Sequence, residues 1–171
     1  MRHPHRQSKG WGAMIAITYR LAAAACLLLL GFAAAPVAAR AADCEGSPSN
    51  ARLIVVVEGV RSDQGLMTAT LYPNDRRKFL VRNGSLKVWR NPARAPVTRM
   101  CIWLPGPGAY GVAIYHDANS NYRLDHNMFG PTEAYGFSNN PRILFAPPPF
   151  EAVRFQAGAG DTTVHVRLHY P

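Results

Sequence analysis

Beyond Ala42 no stretch of twelve residues keeps a helical spacing of apolar side chains, and glycine and proline, 14 of each, cut the chain into short β-branched runs. That punctuation suits strands and turns and excludes long helices. Arg52-Leu-Ile-Val-Val-Val-Glu58 is one run, ended by Gly59. Gly65-Leu-Met-Thr-Ala-Thr-Leu-Tyr72 is the next, and the turn cluster Ser62-Asp-Gln-Gly65 predicts that the two form a hairpin. Two weaker strands, Lys78 to Val81 and Ser85 to Trp89, flank Asn83-Gly84, a hairpin-turn signal. Val97 to Leu104 and Ala109 to Tyr115 follow, separated by Pro105-Gly-Pro-Gly108, and Phe150 to Gln156 with Thr162 to Tyr170 predicts a closing hairpin. In the last run Val164, Val166, Leu168 and Tyr170 alternate with His165, Arg167 and His169, the period of a strand with one face on a core and one in water. About seven short strands of this kind predict an all-β fold, a single antiparallel two-sheet β-sandwich over residues 42–171 with one long ordered loop. A single helical turn fits within Arg76–Leu80 or Phe129–Glu133.

The start of the chain has a different character. Arg2, Arg6, Lys9 and Arg20, with no acidic residue among them, precede a 15-residue apolar run from Leu21 to Ala35, and the small-residue stretch Pro36 to Ala42 follows. This pattern predicts a signal peptide over residues 1–41, cleaved after Ala39 or Ala41, and hence a protein exported to the periplasm or secreted. Met14 is an alternative start. An uncleaved anchor is the second reading, although the run falls short of the ~20 apolar residues that span a bilayer. Asp43 before Cys44 argues against lipid attachment, which wants a small neutral neighbour.

Discarding that segment changes the charge argument. The formal +9 falls to 14 basic residues against 10 acidic ones. The remaining basic residues are scattered, the longest run is Arg76-Arg77-Lys78, and Phe79 is the only aromatic beside it. Nucleic acid is therefore not an expected partner, since single-strand binders need a stacking platform. Cys26 leaves with the signal, and the even pair Cys44 and Cys101 predicts a disulfide in an exported chain, two separate buried thiols being the other reading.

The chemistry concentrates in residues 116–149, a 34-residue connection with little β pattern, well beyond the ~12–15 residues of an ordinary loop. It holds seven aromatic or histidine side chains, His116, Tyr122, His126, Phe129, Tyr135, Phe137 and Phe145, a composition that argues for an ordered excursion. Asp117, Asn119, Asn121 and Asp125 fall at positions 1, 3, 5 and 9 of a D-x-N-x-N loop, and the Arg123 carbonyl falls at position 7. That is the alternation by which a tight coil points oxygens at Ca2+. Tyr122 stands where a calcium loop uses glycine and Met128 where it uses a bidentate glutamate, with Glu133 five residues further on. The competing reading is that the same side chains cap the loop's own backbone. Downstream, Glu133, Ser138, Asn139 and Asn140 either line a pocket or satisfy the amides and carbonyls of a long loop.

Tyr115-His-Asp-Ala-Asn-Ser-Asn-Tyr-Arg-Leu-Asp125, followed by Phe129-Gly-Pro-Thr-Glu-Ala-Tyr-Gly-Phe-Ser-Asn-Asn140, resembles the double signature of an exported bacterial family, domain-of-unknown-function family 2141. The resemblance extends to Leu53–Tyr72, to Leu104-Pro-Gly-Pro-Gly-Ala-Tyr110 and to the closing Phe155 to Tyr170. It implies a sandwich similar to transthyretin-like, prealbumin-type domains, and it implies no established activity. The family's usual loop has glycine at the place of Tyr122, a departure that counts against carrying metal binding over to this chain.

Two classes of function follow. The first is a non-enzymatic module whose excursion, organised by its own polar network or around Ca2+, presents His116, Tyr122, Phe129, Glu133, Tyr135, Phe137, Ser138, Asn139 and Asn140 to an envelope protein or glycan. The second is a periplasmic hydrolase using His116, Asp117, Glu133 and Ser138, or a transition-metal protein using His116 and His126 with Asp117 or Asp125. No G-x-S-x-G elbow supports the hydrolase.

Overall fold

The computed structural model describes residues 44–144 and 146–171. The expected signal peptide, its cleavage sites, Cys26 and Phe145 lie outside them. Ten strands run through the described residues: β1 (Ala51–Glu58), β2 (Leu66–Pro73), β3 (Lys87–Pro92), β4 (Val97–Trp103), β5 (Gly108–Asp117), β6 (His126–Asn127), β7 (Gly130–Pro131), β8 (Tyr135–Phe137), β9 (Phe155–Ala157) and β10 (Gly160–Arg167). A 3₁₀ turn at Arg76–Lys78 follows β2, and one helical turn, α1 (Phe150–Val153), precedes β9.

The strands form three sheets, with orders β10-β1-β4, β3-β2-β5-β8 and β6-β7, and β9 adds to one end of β5. The expected seven-stranded, wholly antiparallel arrangement in two sheets is thus corrected in strand number, sheet number and direction, because β1 and β10 pair in parallel. β1 occupies the centre of its sheet, and Leu53, Val55, Val56 and Val57 are all buried. Leu53, Val55 and Val57 face the shared core, whereas Arg52, Ile54 and Glu58 on the other face are half-buried, so one face of β1 is fully covered and the other in part. Leu53, Met67, Leu71, Trp89, Met100, Ile102, Val112 and Val166, drawn from both larger sheets, share one apolar core.

Both expected hairpins are absent. β1 pairs with β4 and β10, whereas β2 pairs with β3 and β5. The chain between them turns at Gly59 and Gly65, both at positive φ, and passes from one sheet to the other. At the other end β9 joins β5 and β10 joins β1. Parallel partners cannot be joined by a tight turn, so β10 finds its neighbour about a hundred residues upstream instead of beside it in sequence. Local turn signals report where the chain bends and carry no information about which strands meet afterwards.

Two expected strands also take other forms. Phe150 to Gln156 begins as α1, whose Phe150 and Val153 are buried. Lys78 to Val81 is the end of the 3₁₀ turn and a loop, because Phe79 packs into a second, aromatic cluster with Tyr72, Phe137 and Phe150. Ring centroids there lie 5.1 Å apart for Tyr72–Phe79 and 5.7 Å for Phe79–Phe150. Asn83 does turn the chain, at φ 58°, but pairing resumes only when the Leu86 N–H donates to the Leu71 carbonyl.

Candidate functional site

β5 carries Asp117 to the start of the excursion, where it is fully buried. Its Oδ1 accepts the Asn121 backbone N–H at 2.9 Å and its Oδ2 accepts that of Tyr122 at 2.8 Å. Asn119 Oδ1 accepts from Asn121 N–H, and Asn121 Oδ1 accepts from Arg123 N–H. The side-chain amides of Asn119 and Asn121 both donate to Asp125, at 2.8 and 2.9 Å. Glu133 folds back over the loop, its two oxygens accepting the N–H groups of Ala118 and Asp125. Every candidate calcium-ligand side chain is thereby engaged with the loop itself. Among the described residues no group of three or more His, Cys, Asp or Glu side chains is placed to hold a metal ion. Tyr122 adopts φ 65°, the left-handed conformation a glycine takes with least strain.

His116, one residue earlier, is buried, and its Nε2 lies 2.7 Å from the Gln64 carbonyl oxygen. A carbonyl only accepts, so Nε2 carries the proton. The turn that supplies this carbonyl presses on the loop: a Cβ at Gly65 would sit 2.1 Å from the Asp117 carbonyl oxygen. Gln64 and Gly65 are support residues that sequence reasoning did not find. Their only local signal was a turn cluster, and their contact partner lies some fifty residues away.

The second half of the excursion is a clasp. Tyr135 exchanges backbone hydrogen bonds with His169. Ser138, fully buried, accepts the Val112 N–H on its hydroxyl oxygen and donates to the Val153 carbonyl. Asn139 donates to the Arg154 carbonyl at 2.8 Å. Asn140 donates to the His165 carbonyl and accepts the Arg167 N–H, so one side-chain amide imitates a pairing strand along β10. Asn139 and Asn140 both sit at positive φ, which asparagine tolerates better than most residues. Of the two open readings, backbone satisfaction describes what these three residues do in the fold. Gly136 lies closest to β10: a Cβ there would meet Val166 Cγ1 at 2.7 Å and the Arg167 carbonyl oxygen at 2.8 Å. Gly136→Ala is expected to cost about 1–3 kcal/mol, read as a lower urea midpoint; an unchanged midpoint would refute the close approach.

Of the residues expected on a binding surface, His116, Phe137 and Ser138 are buried. Glu133 and Tyr135 are half-buried, and Asn139 and Asn140 are exposed with their amides committed to backbone. Tyr122 is exposed beneath the Arg90 guanidinium, which lies 5.0 Å from its ring centre. Phe129 is 91% exposed and its neighbour Met128 88%, at the tip joining β6 to β7. Phe129 also lines a groove of about 530 Å3 shared with Leu80, Leu124, His126, Tyr135 and Leu144. Met128, noted from sequence only as a departure from a calcium loop, and Leu80 were not expected on a binding surface, since a lone apolar residue in a loop looks the same whether it is packed or presented.

A family model described as "Uncharacterized protein conserved in bacteria (DUF2141)" matches residues 55–165, from β1 through most of β10. The chain belongs to the DUF2141 family. Both signature segments lie inside the match, so in this DUF2141 chain the first segment is the self-capped loop and the second is the clasp. Comparison with curated proteins and with solved structures found no match.

Hydrogen bonds from Asn121 and Asn119 hold the Asp125 carboxyl below the usual carboxylate range. Hydrogen bonding to Arg52 does the same for Asp161, and to Arg77 for Asp75. A carboxyl that binds its proton less tightly when folded stabilises the fold above its unfolded pKa, and that contribution disappears as pH falls through the folded value. Stability is therefore expected to be level near neutrality and to decline below about pH 4. Urea midpoints measured across that range check this, and a midpoint that rises on acidification contradicts it.

Proposed function

We propose that this chain is an exported, non-enzymatic binding module of the bacterial envelope, built as a transthyretin-like sandwich from its two larger sheets. Its excursion engages an envelope protein or glycan through the Met128–Phe129 tip and the groove beside it. The observation that carries this reading is the near-complete exposure of Phe129 and Met128 on a loop whose base is pinned by Asp117 and Glu133. A large apolar tip on a held loop suits a contact surface. The basic and apolar start of the sequence and the Cys44–Cys101 disulfide fit an oxidising compartment. Burial of Ser138, with its hydroxyl on two backbone partners, favours this reading over a serine hydrolase. The test immobilises the protein and passes envelope protein and polysaccharide fractions over it. Retention of one component, weakened about tenfold or more by Phe129→Ser, is expected; equal retention by wild type and variant overturns the reading.

A second element of the proposal is weak Ca2+ binding in the same loop. The D-x-N-x-N spacing supports it, and it requires a rearrangement: Asp125 Oδ2 accepts from the amides of both Asn119 and Asn121 and Oδ1 from Asn121, so those amides must turn their oxygens toward the ion. With two carboxylates in the D-x-N-x-N run, affinity belongs near 10⁻⁴–10⁻³ M, so several millimolar Ca2+ is expected to add about 1 kcal/mol and raise Tm by a few degrees, reversed by EGTA. A melting curve indifferent to Ca2+ removes this element and leaves the binding module in place.

A further inference from the structure

We infer that the loop after β2 and the β6–β7 tip together form a docking surface for an anionic lipid bilayer. From Arg76 to Arg90 the chain has six basic residues and no acidic one. Arg76, Arg77, Lys78 and Arg82 are all exposed. Among the described residues only Arg77 of these four forms an ion pair, with Asp75. Between them, Phe79 is buried in the aromatic cluster and acts as the anchor, while the next two side chains, Leu80 and Val81, are exposed. Leu80 is held at φ 55°, an unusual conformation for a bulky side chain and one that persists only where its surroundings impose it.

Leu80 also lines the groove that holds Phe129 and Leu144, so segments about fifty and sixty residues away reach the same place. Leu80, Val81, Met128, Phe129 and Leu144 are exposed large hydrophobic residues at or next to this groove, and no Asp or Glu lines it. Exposed aliphatic and aromatic side chains on a groove whose Leu80 is flanked in sequence by exposed Arg76, Arg77, Lys78 and Arg82 match an interface that is apolar inside and anionic at its surface. A polysaccharide fits less well, because sugar rings stack on exposed flat aromatic faces, and of the aromatic rings lining the groove Phe129 is exposed while Tyr135 is half-buried and Phe137 buried. This goes beyond the binding-module reading, with which it shares Phe129.

The test mixes the protein, as recovered after export, with vesicles of phosphatidylcholine alone or with about one third phosphatidylglycerol. Binding to the anionic vesicles alone is expected, weakening with salt. Each basic side chain near an anionic surface is worth about fivefold in partitioning, so the triple variant Arg76→Gln/Lys78→Gln/Arg82→Gln should bind about 100-fold more weakly. All three positions are exposed, so native circular dichroism is expected. A Phe129→Trp variant should shift its emission to the blue on binding as the ring enters the acyl boundary.

Equal binding to neutral and anionic vesicles, or an unaffected triple variant, overturns the proposal. Capture by an anionic polysaccharide with no blue shift overturns it in favour of a glycan. Vesicle binding with no retained envelope protein or glycan upholds it and removes the partner reading, and the reverse pattern does the opposite.

Discussion

Replacing Cys44 and Cys101 by serine is expected to lower unfolding free energy by about 4 kcal/mol, a large share of the stability of a domain this size. The two cysteines lie 57 residues apart in sequence and are bonded with Cα atoms 4.6 Å apart, so the bridge removes the entropy of a long loop from the unfolded chain. It has a second role. β4 is the edge of its sheet, and Glu45, next to Cys44, exchanges backbone hydrogen bonds with Cys101 and Trp103 along that edge. Without the bridge this cover is held by those bonds, by the Lys87–Glu45 pair at 3.5 Å and, further along, by the Ser49 hydroxyl donating to the Leu104 carbonyl at 2.7 Å. The double variant should therefore also aggregate more readily, as exposed edges do. Urea unfolding of both forms, with light scattering, measures the two effects, and a midpoint unchanged by the substitutions or by reduction would refute the first.

Asp117→Ala should be comparably damaging, at about 3–5 kcal/mol, although Asp117 belongs to a loop. Its carboxylate accepts two backbone N–H groups from inside the protein, and a charged acceptor makes each bond worth about 1.5–3 kcal/mol. Removing it leaves the Asn121 and Tyr122 amides without that partner, one of them on a residue already in the left-handed region. Asn119→Ala, at an exposed position, is the control and should cost less than about 1 kcal/mol. Limited proteolysis adds a local readout, with new cleavage between Asp117 and Asp125 expected only in the first variant. Equal destabilisation by the two substitutions would show that the loop is not hung from Asp117.

These two expectations depend on different kinds of information. The pairing of Cys44 with Cys101 followed from parity once Cys26 was assigned to the signal, and the structure joins the same two residues. The importance of Asp117 was half legible: its spacing to Asn119, Asn121 and Asp125 identified a loop built on side-chain oxygens, and spacing alone left open whether those oxygens face an ion or an amide. Calcium coils and Asx turns use the same residues because both need short side chains carrying oxygen close to the backbone.

The strand runs were legible in the same limited way. Val97 to Leu104, Ala109 to Tyr115 and the alternating last strand form close to where their residues predict, since alternation and β-branching act within one strand. The pairings were not legible. Both expected hairpins joined neighbours in sequence, but β1 pairs with β10, about a hundred residues downstream, and with β4, some forty to fifty residues downstream. Asn140 was recognised as a polar loop residue, yet its pairing with β10 exists only after the chain has brought residues 140 and 165–167 together.

By itself, then, the sequence determined a β-rich chain punctuated by glycine and proline, one polar excursion, one cysteine pair and membership of a recognisable family, all properties of short range or simple count. Tertiary structure alone decided which strands are neighbours, that Phe79 goes inside while Leu80 stays out, and that a basic loop and an aromatic tip about fifty residues apart share one groove. The reason is that burial is a property of the assembled surface. A side chain's neighbours within a strand can be read from its periodicity, but what covers it is set by segments whose arrival no local pattern encodes.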